Sequence, residues 1–299
     1  MSSTRQPIVV GVDGSKCDEQ AIEWAAGEAS MRHLPLRIVH VLEPPLMSRP
    51  LDVELADRIM AFAAQHANEI VATAVGSARR IAPNIDVNGT VITGQVVPGL
   101  LAEAEQARLV VLGSGERFDA SRVRLGSVAA HVSTHARCPV IVSRTPESGE
   151  PASGPAGGRI VVGVDGSAVS EAAVGFGFEE ASWRSLGLTV VHAWQEASLP
   201  WTLDVPKPSV HEQEAERVIA EAAAGWSEKY PDVRVSSILV RDHPVRALID
   251  EAAGAALLVV GSHGRGRFSG MVLGSVSQAV LRHASASIAI VRNPQARNR

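Results

Sequence analysis

The chain has 299 residues, enough for two ordinary domains, and its 45% hydrophobic and 20% charged content is that of a soluble globular protein. A net charge of −4, from 28 basic and 32 acidic residues, argues against a nucleic-acid surface, which wants a basic excess. No apolar run approaches the roughly 18 residues of a membrane helix, and polar Met1–Pro7 runs directly into an apolar strand, so neither a membrane span nor a signal peptide is expected and a cytoplasmic location is.

In chain order, Ile8–Val12 is uniformly apolar and reads as a strand. A helix from Asp18 to about Arg32 follows, with Asp18 as its expected N-cap. Strand Leu36–Leu42 leads through the proline-rich stretch Glu43–Pro50 to a long helix, Val53–Arg80. Strand Val87–Thr93, a short helix, strand Leu109–Leu112, a helix opened by Gly126-Ser127 and strand Pro139–Ser143 complete the series. Residues 145–158 carry no apolar pattern and are dense in Pro, Gly and Ser, as a flexible linker is.

The series then repeats. Ile8–Ser15 and Ile160–Ser167 are identical at an offset of 152 residues, and Leu109–Gly113 resembles Leu257–Gly261 at an offset of 148. A period near 150 is too long for a solenoid, whose units run to about 50 residues, so it marks a duplicated domain: 1–144, linker 145–158, 159–299. Copy two is expected to hold strands Ile160–Val164, Leu188–Ala193, Val233–Val240, Leu257–Val260 and Ser287–Val291. Its helices run from Ser170, the expected N-cap, to about Arg184, and over Val210–Lys229 behind the capping-box pattern Ser209-Val-His-Glu212. The latter carries an apolar stripe of Ala215, Val218, Ile219, Ala222 and Trp226. Apolar strands alternating with helices predict an α/β class: two tandem doubly wound domains, each with a five-stranded parallel sheet covered on both faces. Ligands of such folds bind at the carboxyl ends of the strands, near the switch in strand order.

The unusual residues fall there. After the fourth strand, copy two reads Gly261-Ser262-His263-Gly264-Arg265-Gly266-Arg267, then Gly274-Ser275-Val276, a G-x2-G-x9-G-S spacing. Glycines at a strand end let backbone N–H groups approach an anion. A helix N-terminus at Gly274-Ser275 adds free donors, and Arg265 and Arg267 add charge beside phosphates. Two donor clusters suit a chain of phosphates better than one carboxylate. Copy one departs: Gly113-Ser114-Gly115-Glu116 puts a carboxylate where Gly264 stands, although Gly126-Ser127-Val128 is kept and Arg117, Arg122 and Arg124 lie near in sequence. Weaker binding is expected there.

At these residues the chain resembles the universal stress protein family, in its tandem, ATP-binding form, over nearly its whole length. The resemblance implies the adenine nucleotide alpha hydrolase-like, Rossmann-like fold and ATP, with magnesium as a further candidate. It places Gly11, Asp13, Gly163 and Asp165 beside the nucleotide, the backbone of Val41 and Ala193 at the adenine, and Val260, Gly261, Gly264, Gly274, Ser275 and Val276 at ribose and phosphates. It also implies pairing of the two domains within one chain and allows homodimers. The implied role is regulatory, in stress response or growth control, with little or no turnover. A slow ATP-hydrolysing enzyme and a sensor of AMP or cyclic AMP remain alternatives.

The absence of G-x-x-x-x-G-K-[ST] supports the non-enzymatic reading. The lysines are Lys16, Lys207 and Lys229, and none has phosphate-loop spacing. A dinucleotide dehydrogenase is excluded because Gly11-Val-Asp-Gly14-Ser15 is not G-x-G-x-x-G. His131 and His135 share a helix face without an evident third ligand, and His40 and His192 recur at the ends of the second strands, so neither a metal nor a catalytic base is expected. Cys17 and Cys138 read as free thiols.

Overall fold

The computed structural model describes residues 5–44, 52–115, 125–144, 158–194, 208–264 and 273–293. The chain divides into two compact units, Met1–Arg144 and Thr145–Arg299.

The first unit runs β1 (Ile8–Gly11), α1 (Cys17–Arg32), β2 (Leu36–Leu42), α2 (Val53–Ile81), β3 (Val87–Thr93), α3 (Val96–Ala104), β4 (Leu109–Gly113), α4 (Ser127–His135) and β5 (Val140–Ser143). Its strands lie in the order β3-β2-β1-β4-β5, and the pairs Ile8 with Leu36 and Ile8 with Leu109 set a parallel register on both sides of β1. The second unit runs β6 (Arg159–Gly163), α5 (Ala168–Arg184), β7 (Gly187–Ala193), α6 (Pro208–Lys229), β8 (Val235–Val240), α7 (Pro244–Glu251), β9 (Leu257–Gly261), α8 (Ser275–His283) and β10 (Ser287–Val291). Its order is β8-β7-β6-β9-β10, again parallel throughout. In each unit the strand order reverses at the first strand, between β1 and β4 and between β6 and β9.

The apolar runs explain this architecture. Ile8, Val9, Val10, Ile160, Val161 and Val162 are all fully buried, which requires cover on both sheet faces. Each such side chain contributes about 1.5–3 kcal/mol of burial. The helices supply the cover in pairs, α1 with α2 and α3 with α4, then α5 with α6 and α7 with α8. On α6, Val218, Ile219 and Ala222 are buried, and half-buried Trp226 seats its ring against Gly175, where no Cβ could stand. No helix among the described residues is long and apolar enough to cross a membrane.

Helix starts need two corrections. Asp18 and Ser170 are not N-caps; the helices begin at Cys17 and Ala168. Ser167 caps α5, its side chain accepting from the Ser170 N–H at 3.2 Å. Asp18 instead turns back toward β1, for reasons taken up below. At the other ends of α1 and α5, His33 (φ 52°) and Ser185 (φ 54°) close the last turn in the left-handed region. Both helices also bury a carboxylate, Glu28 and Glu180, each paired one turn on with Arg32 at 2.8 Å and Arg184 at 3.1 Å.

Candidate nucleotide site

The second unit holds a cavity of about 780 Å³ at the carboxyl end of its sheet, within the range of small-molecule sites. One wall is the turn after β6. There the Asp165 carboxylate accepts from the Ser167 N–H at 3.0 Å through Oδ1, and Gly166 takes φ 76°, a conformation that suits glycine. A second wall, touching the first at Asp165 and Gly264, is the glycine-rich loop. Ser262 is fully buried; its N–H donates to the Val291 carbonyl at 2.7 Å, and its own carbonyl accepts from the Gly274 N–H at 2.7 Å. Gly274 therefore sits against His263 and Gly264, with only 3.1 Å between the site of a Cβ and the His263 Cα. This single hydrogen bond brings the two glycine clusters together.

Consequences follow for the donors. The amides in the first turn of α8 have no partner inside the helix, and Ser275 and Val276, which lie in that turn, line the cavity. Glycine at 264 leaves room for the Asp165 Oδ2, because a Cβ there would collide with it. The Ser277 hydroxyl donates to the Gly261 carbonyl at 2.6 Å, locking α8 to the end of β9. Val191, Ala193, Leu248, Val260 and Leu273 add apolar side chains to the lining. Gly163 lines it too: a Cβ there would meet Leu248 at 2.9 Å.

Of the sequence-derived candidates, Gly163, Asp165, Ala193, Val260, Gly261, His263, Gly264, Gly274, Ser275 and Val276 all line this one cavity. Ser262 does not; it lies behind the wall and works through its backbone. Arg265, Gly266 and Arg267 lie outside the described residues, as does most of the two proline-rich stretches. The sequence reading missed Val164, Ser170, Val191, Pro244, Leu248, Leu273, Ser277 and Gln278. Ser277 and Gln278 had a signal, since a helix opening at Gly274 brings its first turn to the same place. Leu248 and Pro244 had none, because α7 reaches the site only through the crossover.

In the first unit the same backbone scheme recurs. The Ser114 N–H donates to the Ser143 carbonyl at 3.1 Å and the Gly126 N–H to the Ser114 carbonyl at 2.7 Å. Gly115 adopts φ 94°, Ser127 and Val128 open α4, Gly11 ends β1 with Asp13 in the turn after it, and Val41 lies next to the last residue of β2. Asp13 holds its turn as Asp165 does, accepting from the Ser15 N–H at 2.9 Å. Glu116 lies outside the described residues. The difference is Asp18, whose carboxylate accepts from the Asp13 N–H at 3.0 Å and the Gly14 N–H at 2.7 Å. Burial pushes this carboxyl up to about 6, against the lowering effect of the Gly14 amide and with added repulsion from Asp13.

The histidines are engaged by backbone. His40 and His192 place Nδ1 on the carbonyls of Val12 and Val164 at 2.9 and 2.8 Å. His131 and His135 place theirs on carbonyls one turn back, at 2.7 and 2.9 Å.

Comparison with known proteins bears on family and fold. A family model described as "Universal stress protein family" matches residues 4–144 and again 158–292. A universal stress protein of Mycobacterium tuberculosis (strain ATCC 25618 / H37Rv) is 39% identical over 290 residues, covering 95% of this chain and 96% of its own. A second from the same strain is 37% identical over 317 residues, covering 98% and 96%. In fold, the chain is similar to the crystal structure of a universal stress protein from Archaeoglobus fulgidus DSM 4304, with a TM-score of 0.72, 16% identity, and coverage of 96% and 98%. With a doubled family match, two like relatives across almost its full length and the repeated five-stranded sheet, this chain belongs to the universal stress protein family.

Proposed function

We propose that the protein is an ATP-binding regulator with little or no catalytic turnover, and that its second unit holds the nucleotide. One observation carries this reading: a single cavity is lined both by apolar side chains, among them Ala193, Val260 and Leu248, and by the first-turn backbone of α8 beside the Gly261–Gly264 loop. An adenosine polyphosphate has the matching polarity, a flat weakly polar base and a chain of anions. Oriented amides and a helix N-terminus bind such anions without a lysine. Magnesium carried in with the phosphates would meet Asp165 among the residues lining the cavity; magnesium is commonly held by one or two carboxylates plus phosphate oxygens.

The case against turnover rests on what the wall residues do. The Asp165 Oδ1 is committed to the turn, no lysine is among the described residues that line the cavity, and none of Lys16, Lys207 and Lys229 has phosphate-loop spacing. Small molecules released from the purified protein, identified by mass spectrometry, and calorimetric titration with ATP, AMP and cyclic AMP test the reading. ATP is expected to bind about tenfold more tightly than AMP, through the added phosphates. Equal affinities refute the polyphosphate assignment, and steady-state hydrolysis of several turnovers per second refutes the regulatory one.

A further inference from the structure

We infer that Asp18 closes the first domain to phosphorylated ligands, so that the chain takes up one ATP, in its second domain. The inference rests on the nucleotide reading of the second domain's cavity and adds what distinguishes the two copies.

Position 18 is the counterpart of position 170 at the 152-residue offset of the repeat. The framework around both is the same. In the second unit Gly261 packs against Val169, and in the first Gly113 packs against Cys17, so the first turn of the helix abuts the start of the glycine loop in each. The next residue faces the crevice between the first and fourth strands. In the second unit it is Ser170, buried, with its hydroxyl donating to the Ser167 carbonyl at 2.8 Å and lying 3.4 Å from the Asp165 N–H. This small neutral group lines the cavity.

In the first unit the same place holds a carboxylate. Asp18 grips the N–H groups of Asp13 and Gly14, an anion-binding turn filled by an anion of the chain itself. Asp13 stands beside it, and Glu116 replaces the glycine that faces Asp165 in the other copy. Although its proton affinity is raised, Asp18 is still mostly ionised at pH 7.5. A phosphate entering this crevice meets a fixed negative charge, where in the second unit the Asp165 N–H donates to the neutral Ser170 hydroxyl. An uncharged nucleoside does not meet this repulsion.

The test exchanges the two residues in the full-length protein, titrated calorimetrically with ATP and with adenosine near pH 7.5. The wild type is expected to bind one ATP per chain. Ser170→Asp is expected to weaken ATP by about tenfold or more beyond any effect on adenosine, and Ser170→Asn to affect the two ligands alike and ATP much less than Ser170→Asp does. The double variant Asp18→Ser, Glu116→Gly is expected to take up a second ATP. Unchanged ATP affinity in Ser170→Asp overturns the inference, as does an equal loss in Ser170→Asn, which would make size rather than charge the cause. Two equivalent ATP sites in the wild type also overturn it, as does a folded double variant that gains none. Should the double variant fail to fold, the Ser170 pair decides alone. A wild type that binds neither ATP nor adenosine removes the nucleotide reading itself, a result distinct from all of these.

Discussion

Asp165 and Gly264 share one space: the Asp165 carboxylate stands where any side chain at 264 would begin. The pair joins the turn after β6 to the loop after β9 across the strand-order switch. Gly264→Ala must therefore push the carboxylate aside, and Gly264→Glu adds a charge besides. We expect ATP affinity to fall by roughly threefold to tenfold in the first and by more than about tenfold in the second, measured by calorimetry. Melting temperatures close to wild type in both would place the loss in the site and not in the fold.

Ser277→Ala removes the 2.6 Å bond to the Gly261 carbonyl. A buried hydrogen bond of this kind is worth about 0.5–1.5 kcal/mol, and its loss leaves a carbonyl with one fewer partner. The second unit is expected to melt a few degrees lower, read by calorimetric scanning. The first unit already has Ala129 at this position, so its transition should not move.

His33 and Ser185 adopt left-handed backbone at equivalent helix ends. Glycine has no steric penalty there. Ser185→Gly is expected to stabilise the second unit by about 0.5–1 kcal/mol in urea unfolding. A decrease would mean that the Ser185 side chain contributes more than its backbone strain costs.

Asp18 gives the stability of the first unit a pH dependence. Its carboxyl titrates near 6 in the folded chain, above the ordinary value of 3.8, so the folded state holds the proton more tightly than the unfolded state. The stabilisation is complete below about pH 4 and drains away as pH rises through 6. Half-exposure of the group screens the size of the effect. Asp18→Asn, which cannot ionise, is expected to melt higher than wild type at pH 7.5 and to lose that advantage toward pH 4. A constant difference across that range would show that Asp18 does not titrate as its surroundings dictate.

Most of the framework was legible from the chain alone because it rests on local signals. Runs such as Ile8–Val10 and Leu257–Val260 are apolar without alternation, which only a sheet covered twice can satisfy. The glycine spacing announced the loop for the same reason: a strand end followed by a helix start is readable from neighbours. Contacts that cross the fold were not. Leu248 and Pro244 reach the cavity from α7, distant in sequence from the loop they face. The role of Asp18 was misread because an acidic residue at a helix start looks like a cap, and only the path of the turn after β1 shows that its carboxylate points backward, to Asp13 and Gly14.

The bond from the Gly274 N–H to the Ser262 carbonyl fastens both ends of the intervening segment to the same point of the sheet. The closure is made by backbone atoms alone, so no side chain of the intervening sequence has to supply it. The two copies share these anchors while their intervening sequences differ, Glu116 in one and Gly264-Arg265-Gly266-Arg267 in the other. In evolutionary terms the staple turns the loop into an exchangeable cassette, through which a duplicated domain can alter what it recognises while keeping the scaffold it inherited.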